Sequence, residues 1–264
     1  MEKSPERSPQ SAEQFAARLI DELDLDARAR AGARERPYVA LNMISTADGR
    51  ATLSGRSGAI GDDADKHLFL GLRTLVDGVM AGAGTVRAEG YHRLIRDPAA
   101  LERRRKRGLA AEPLACIVSG RLALDGGVPL LADPEARVAI VTSSQASLPD
   151  DCRAQIDYVR AEREGQLDLR AAMRELRARF EIATLLCEGG PHLNANLLAA
   201  GLVDELFLSL APALAGGDAT SESLRIVSGV DLDPPVAMEL LSSHEYESHL
   251  FLRYKLLKSE GQPR

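Results

Sequence analysis

From Pro37 onward, short apolar runs alternate with stretches in which apolar residues recur every three or four positions. Runs of four to eight aliphatic residues read as buried strands, and the three-to-four spacing reads as helices lying on a sheet. The runs predict strands at residues 38–45, 78–81, 114–118, 137–142, 156–160, 184–187 and 205–211. Helices are predicted at 62–75, 168–180 and 193–200, with a further one around 98–107, each serving as a crossover between strands. The last two runs, 237–245 and 249–257, are separated by only Tyr246, Glu247 and Ser248, which predicts an antiparallel hairpin. The result is a mostly parallel sheet with helices on its faces, finished by that hairpin. A loop from Gly216 and Gly217 to Glu222 precedes the hairpin, and no repeat of fixed period is present.

Residues 1–36 differ in composition, being rich in Glu, Arg, Ala and Ser, with one amphipathic stretch at 15–25 that can form a helix. We read them as an appendage to one domain at 37–258, with a short tail at 259–264. The 264 residues, 45% of them hydrophobic, suffice to bury a core without disulfides or a metal. No window approaches 18 uncharged apolar residues and the first ten positions are polar, so neither a membrane span nor a signal peptide is predicted. A net charge of -6 has the wrong sign for a surface that neutralises nucleic-acid phosphates. The basic run Arg103, Arg104, Arg105, Lys106 and Arg107 covers all sides of a helix and reads as a solvated face. Cys116, Cys152 and Cys187 form no CxxC pair and no even disulfide framework, which fits a reducing cytoplasm.

Two junctions carry candidate chemistry. In the first, the 78–81 strand runs into Gly82-Ala83-Gly84-Thr85-Val86-Arg87. Free N–H groups at such a turn attract phosphate, and missing Cβ atoms let phosphate approach the backbone, although an ordinary tight turn has the same composition. Arg87 stands where a dinucleotide fingerprint has its third glycine, and no Gly-Lys-Ser/Thr follows. In the second, the 184–187 strand ends in Glu188-Gly189-Gly190-Pro191-His192-Leu193, with proline suited to a first helical position. Both junctions would open at the carboxyl edge of a parallel sheet, where a pyrophosphate could bridge them. Glu188, a carboxylate at the end of an apolar strand, needs a partner or a ligand. Asp48-Gly49 can aim a carboxylate at the same edge or form a plain turn. Arg73, Arg93 and Arg96 are candidate grips for a substrate phosphate. The five histidines form no metal-ligand spacing, and no GxSxG elbow occurs. These residues point to a nucleotide-cofactor enzyme without fixing its reaction.

Four ordered motifs resemble those of the reductase domain of riboflavin biosynthesis, a family with the three-layer α/β/α fold of dihydrofolate reductase. They are Ser45-Thr46-Ala47-Asp48-Gly49-Arg50, the stretch from Asp77 to Glu89, Glu188-Gly189-Gly190-Pro191, and Gly201-Leu202-Val203-Asp204-Glu205-Leu206 leading to Ala211-Pro212. The resemblance implies NADPH as hydride donor. It implies as substrate 5-amino-6-(5-phosphoribosylamino)uracil or its diamino-pyrimidinone analogue, whose ribose is reduced to ribityl. Such a glycosylamine can open to an imine that accepts hydride at C1′, with the protein orienting the nicotinamide against that carbon.

By the same resemblance, Ser45, Gly82, Gly84, Thr85, Val86, Glu89, Ser119, Gly189, Gly190, Pro191, His192 and Leu193 belong to the cofactor. Ser57, Arg73, Arg96 and Glu188 belong to the substrate, with Asp48 near the nicotinamide, so that Asp48 and Glu188 are the expected catalytic pair. A homodimer joined through the hairpin is also implied. The chain departs from the family pattern at Glu89-Gly90-Tyr91, at Ala59 and at Arg50. With neither HxE nor PCxxC present, a reductase without its companion deaminase is expected. Two rival readings remain: a pteridine or folate reductase on the same fold, and a non-catalytic NADPH-binding protein.

Overall fold

The central strands are near-continuous apolar runs, such as Leu114–Val118 and Thr184–Cys187, because both faces of the sheet are covered. A computed structural model of the chain describes residues 10–25, 35–53, 55–216 and 224–257. Its main sheet contains β1 (Tyr38–Thr46), β2 (Gly78–Gly82), β3 (Leu114–Val118), β4 (Arg137–Thr142), β5 (Gln155–Arg160), β8 (Thr184–Cys187), β9 (Glu205–Ala211), β10 (Met238–Tyr246) and β11 (His249–Leu256). The spatial order is β10-β11-β9-β1-β8-β2-β3-β4-β5. From β9 to β5 every neighbouring pair is parallel, whereas β11 pairs antiparallel with both β9 and β10. The predicted mostly parallel sheet with an antiparallel hairpin is therefore the observed one.

Alternation along the strands divides the core into two layers. Val79, Ala81, Ala115, Ile117, Val138 and Ile140 pack on one face with α1 (Ala12–Asp21), α2 (Asp63–Arg73), α3 (Ala83–Ala88), α4 (Pro98–Lys106) and α5 (Pro129–Ala132). Met80, Cys116, Ala139, Val141, Leu185 and Cys187 pack on the other with α6 (Leu169–Phe180) and α7 (Pro191–Ala199). The helices begin where their sequences place a cap: Asp62 accepts from the N–H of Asp65, and Asp168 from that of Ala171.

Several details differ from expectation. The amphipathic stretch expected at 15–25 is helical at Ala12–Asp21, and its apolar side is part of the core. Phe15 is buried, with ring centroids 4.9 Å from Tyr246 and 5.1 Å from Phe251. This part of the appendage is thus packed on the hairpin. The hairpin turn is two residues long, Glu247 and Ser248, both left-handed (φ 45° and 68°), as a tight turn between twisted strands requires. The small hairpin β6 (Glu162–Arg163) with β7 (Gln166–Leu167) and the single-turn helix α5 have too few residues to show a period. The basic run is not wholly a solvated face. Arg104 is fully buried and donates from Nη1 to the carbonyls of Arg73 and Val76, satisfying the end of α2. The loop expected from Gly216 to Glu222 lies, after Gly216, outside the described residues.

Candidate active site

The carboxyl ends of β1, β2 and β8 open into a cleft of about 1390 Å³. The two glycine junctions meet there. Gly82, at the end of β2, donates its N–H to the carbonyl of Gly189 at 2.7 Å. A Cβ on Gly190 would stand 2.8 Å from Thr85 Oγ1, so glycine is what lets the turn after β8 touch the start of α3. Gly189 adopts φ +90°, a left-handed conformation open to glycine. The helices α3 and α7 begin at Gly82 and Gly190, neither of which supplies a side-chain cap. Their first N–H groups are left to a ligand or to solvent at one place on the cleft wall, a setting suited to phosphate. A dinucleotide diphosphate fits this cradle by backbone donors and by the absence of side-chain bulk.

The floor of the cleft is charged but internally paired. Glu188 accepts from Arg73 Nε at 2.7 Å, from Arg73 Nη2 at 2.8 Å and from the Tyr91 hydroxyl at 2.5 Å. Arg73 Nη1 donates to the Leu94 carbonyl at 3.0 Å, and the guanidinium lies 4.3 Å from the Phe69 ring centroid. Burial alone would lower the Arg73 pKa, but the Glu188 carboxylate outweighs it and raises it. Burial, reinforced by Glu188, pushes the Tyr91 hydroxyl far above its usual range. The guanidinium is thus the buried counter-ion of Glu188 and stands behind the cleft wall, where the sequence reading had it gripping a phosphate.

Of the other sequence-predicted residues, Gly82, Gly84, Thr85, Glu89, Gly189, Gly190, Pro191, His192 and Leu193 line the cleft, together with Ser57 and Glu188. Ser57 donates to Glu89 Oε1 from its N–H at 2.9 Å and its hydroxyl at 3.0 Å, joining one expected substrate residue to one expected cofactor residue. Val86 is buried in the core beneath α3. Ser45 is buried on β1, and Ser119 is buried just past β3 with its N–H on the Val141 carbonyl. Arg96 is exposed and outside the cleft lining, and Arg93 is bound to Glu112. Asp48 is not among the residues lining the cleft. Its carboxylate anchors a loop, accepting from Thr46 Oγ1 at 2.5 Å, from the N–H of Gly216 at 2.6 Å and from that of Ala215 at 3.1 Å. The Thr46 hydroxyl, then these N–H groups, hold its pKa down at about 2.

Sequence reasoning missed several cleft residues. Asp65, Phe69 and Tyr91 line it, as do Leu224 and Ile226 from the segment before the hairpin. Asn194, fully buried on α7, donates to the Ile226 carbonyl at 2.7 Å and ties that segment over the cleft. Asp65 and Phe69 are four residues apart on α2 and so share a face, a signal the sequence carried in plain sight. Among the described residues no cluster of His, Cys, Asp and Glu is arranged to hold a metal, and no helix is long and apolar enough to cross a membrane.

The chain is similar to known proteins along most of its length. The chain is 28% identical over 225 residues to the 2,5-diamino-6-ribosylamino-4(3H)-pyrimidinone 5′-phosphate reductase of Methanothermobacter thermautotrophicus, covering 83% of this chain and 98% of that one. The protein of the same name from Archaeoglobus fulgidus is 29% identical over 186 residues, 69% of this chain and 83% of that one. The crystal structure of a pyrimidine reductase-like protein from Corynebacterium diphtheriae superposes with a TM-score of 0.75 at 23% identity, covering 93% of this chain and 99% of that one, and shares its fold. Residues 37–252 match the family model described as the RibD C-terminal domain. With the paired glycine turns, the parallel sheet edge and most of the chain inside that match, this protein belongs to the RibD C-terminal domain family.

Proposed function

We propose that the protein is an NADPH-dependent reductase that converts the ribosylamino group of a pyrimidine 5′-phosphate to a ribitylamino group. The observation that carries this reading is the contact between the two glycine turns, Gly82 with Gly189 and Gly190 with Thr85, which leaves backbone donors and no side chain where a diphosphate would lie. The names of these two relatives supply the substrate class. When bound, NADPH would supply the hydride.

The chain's own residues have three tasks. The N–H groups opening α3 and α7 hold the phosphates, with Glu89 and Ser57 fixing the adjoining wall through their mutual hydrogen bonds. Met43, Ile44, Leu224 and Ile226 form an apolar side that keeps water from the reacting carbon. Lys66 brings positive charge to the cleft wall for a substrate phosphate, a duty Arg73 cannot share while it is bound to Glu188. We place the enzyme in a reducing cytoplasm, where its three free thiols remain reduced.

A pteridine or folate reductase is the second reading, favoured by the commitment of Arg73 to Glu188, which a substrate without phosphate would tolerate. The test follows reduced nicotinamide absorbance after adding each ribosylaminopyrimidine phosphate, or dihydrofolate, to protein and NADPH. Oxidation with a ribosylaminopyrimidine, and a product heavier by two hydrogens, is the expected result. Oxidation only with dihydrofolate, or NADPH binding without turnover of any of them, would overturn it.

A further inference from the structure

One half-buried acid lines the cleft outside the two glycine turns. Asp65 lies on α2 one turn before Phe69, and both line the cleft. The three acids at the start of α2 divide their tasks. Asp62 caps the helix and faces His249 Nδ1 at 3.2 Å, Asp63 is exposed, and Asp65 has Ser209 on β9 as its hydrogen-bond partner. A Cβ on Gly61 would stand 2.5 Å from Asp65 Oδ2, so the loop before α2 closes against the carboxyl and confines it. The next turns of the same helix face carry the Phe69 ring and then Arg73, bound to Glu188. A planar heterocycle set beside Phe69 would meet a carboxyl at its edge.

We infer that Asp65 is a specificity-determining residue, reading the N2/N3 edge of the substrate's pyrimidine and selecting a 2-amino-4-pyrimidinone over a uracil. The assignment rests on the reductase reading above. Its chemistry is a matter of donors and acceptors. The 2-amino-4-pyrimidinone presents two donors side by side, the 2-amino group and N3–H, which match the two oxygens of a carboxylate. Uracil presents an acceptor, O2, beside the N3–H donor, so against a carboxylate one of its two bonds becomes an oxygen–oxygen repulsion. Burial raises the Asp65 pKa, opposed by the Ser209 hydrogen bond, reinforced by Asp62 and opposed by His249. A carboxylate so desolvated gains most from a partner that offers two donors.

The experiment measures kcat/KM for both substrates, 2,5-diamino-6-ribosylamino-4(3H)-pyrimidinone 5′-phosphate and 5-amino-6-(5-phosphoribosylamino)uracil, in the full chain and in two variants. Asp65→Asn keeps the shape but replaces one acceptor with a donor, the complement of the uracil edge. It is expected to shift the ratio of the two kcat/KM values at least ~100-fold toward uracil. Asp65→Ala removes both groups and is expected to bring the two substrates near parity, which keeps the assignment testable if the asparagine variant folds poorly. A purely structural role for Asp65 would lower both activities together, and an unchanged ratio in either folded variant would overturn the assignment alone. No turnover of either substrate by the unaltered protein would instead remove the reductase reading, and this assignment with it.

Discussion

Arg73 and Glu188 are joined by two hydrogen bonds, Nε to Oε1 at 2.7 Å and Nη2 to Oε2 at 2.8 Å, beneath the floor of the cleft. The pair closes a link between α2 and the end of β8, and Tyr91 adds a third donor to the carboxylate. Removing one partner strands a buried charge. Glu188→Gln should therefore cost about 3–5 kcal/mol of stability, whereas Arg73→Met combined with Glu188→Gln should cost less than the sum of the single changes. Denaturant unfolding of the four proteins checks this. Additive losses would mean that the two side chains do not depend on each other.

Gly84 and Gly190 separate the needs of the fold from those of the cofactor. A Cβ on Gly84 meets nothing within 4 Å, although the residue lines the cleft, so Gly84→Ala should leave the free protein intact and add up to about 1 kcal/mol of helix preference. Its methyl would project where the phosphate is proposed to lie, and NADPH affinity should fall. Gly190→Ala instead presses on Thr85 Oγ1 and should cost about 1–3 kcal/mol in the free protein as well. Calorimetric titration with NADPH beside thermal melting distinguishes the two. Equal affinity in Gly84→Ala and the unaltered protein would count against the phosphate cradle.

The sheet was legible because its strands are short apolar runs that give way to serine, glutamate or proline, as β3, β4, β8 and β9 show by matching their predicted limits to the residue. The glycine turns were legible as well. Side-chain partnerships across the chain were not. Nothing local to Arg73 announces that it will meet Glu188, 115 positions later, nor does the basic run reveal that Arg104 turns inward to cap α2. Asp48 shows the opposite hazard. Its Asp-Gly signal was real, but the carboxylate reaches Gly216 across 168 positions and so serves a loop. Asp65 was hidden by its neighbours, since acids at the start of a helix are adequately explained by its dipole.

The Asp48 anchor has a pH signature. Its folded pKa is about 2, below the ordinary value of 3.8, so the stability it contributes is present above about pH 4. That contribution is lost as pH falls through about 2. Asp48→Asn should lower the melting temperature near neutrality, and the gap from the unaltered protein should close as the pH approaches 2. A gap that stayed constant across this range would show that the carboxylate's charge is not what holds Ala215 and Gly216.

Among the described residues the hairpin leaves an open edge. β10 ends the sheet, pairing on one side with β11, while Met238 and Leu240 are 45% and 53% exposed along it and Leu250 is 38% exposed on its partner strand. An unpaired edge carrying apolar side chains invites association unless charge, a bulge or another chain covers it. The single irregularity between Leu240 and Ser242 bends the strand but leaves those side chains in place. We therefore expect a homodimer through the hairpin, with a mass near twice 28.4 kDa by light scattering. Leu240→Lys should shift it toward the monomer without reaching the cleft, since Leu240 is not among the cleft residues. If the unaltered protein scatters as a monomer at micromolar concentration, the edge is tolerated in water and the apolar side chains on β10 need another partner.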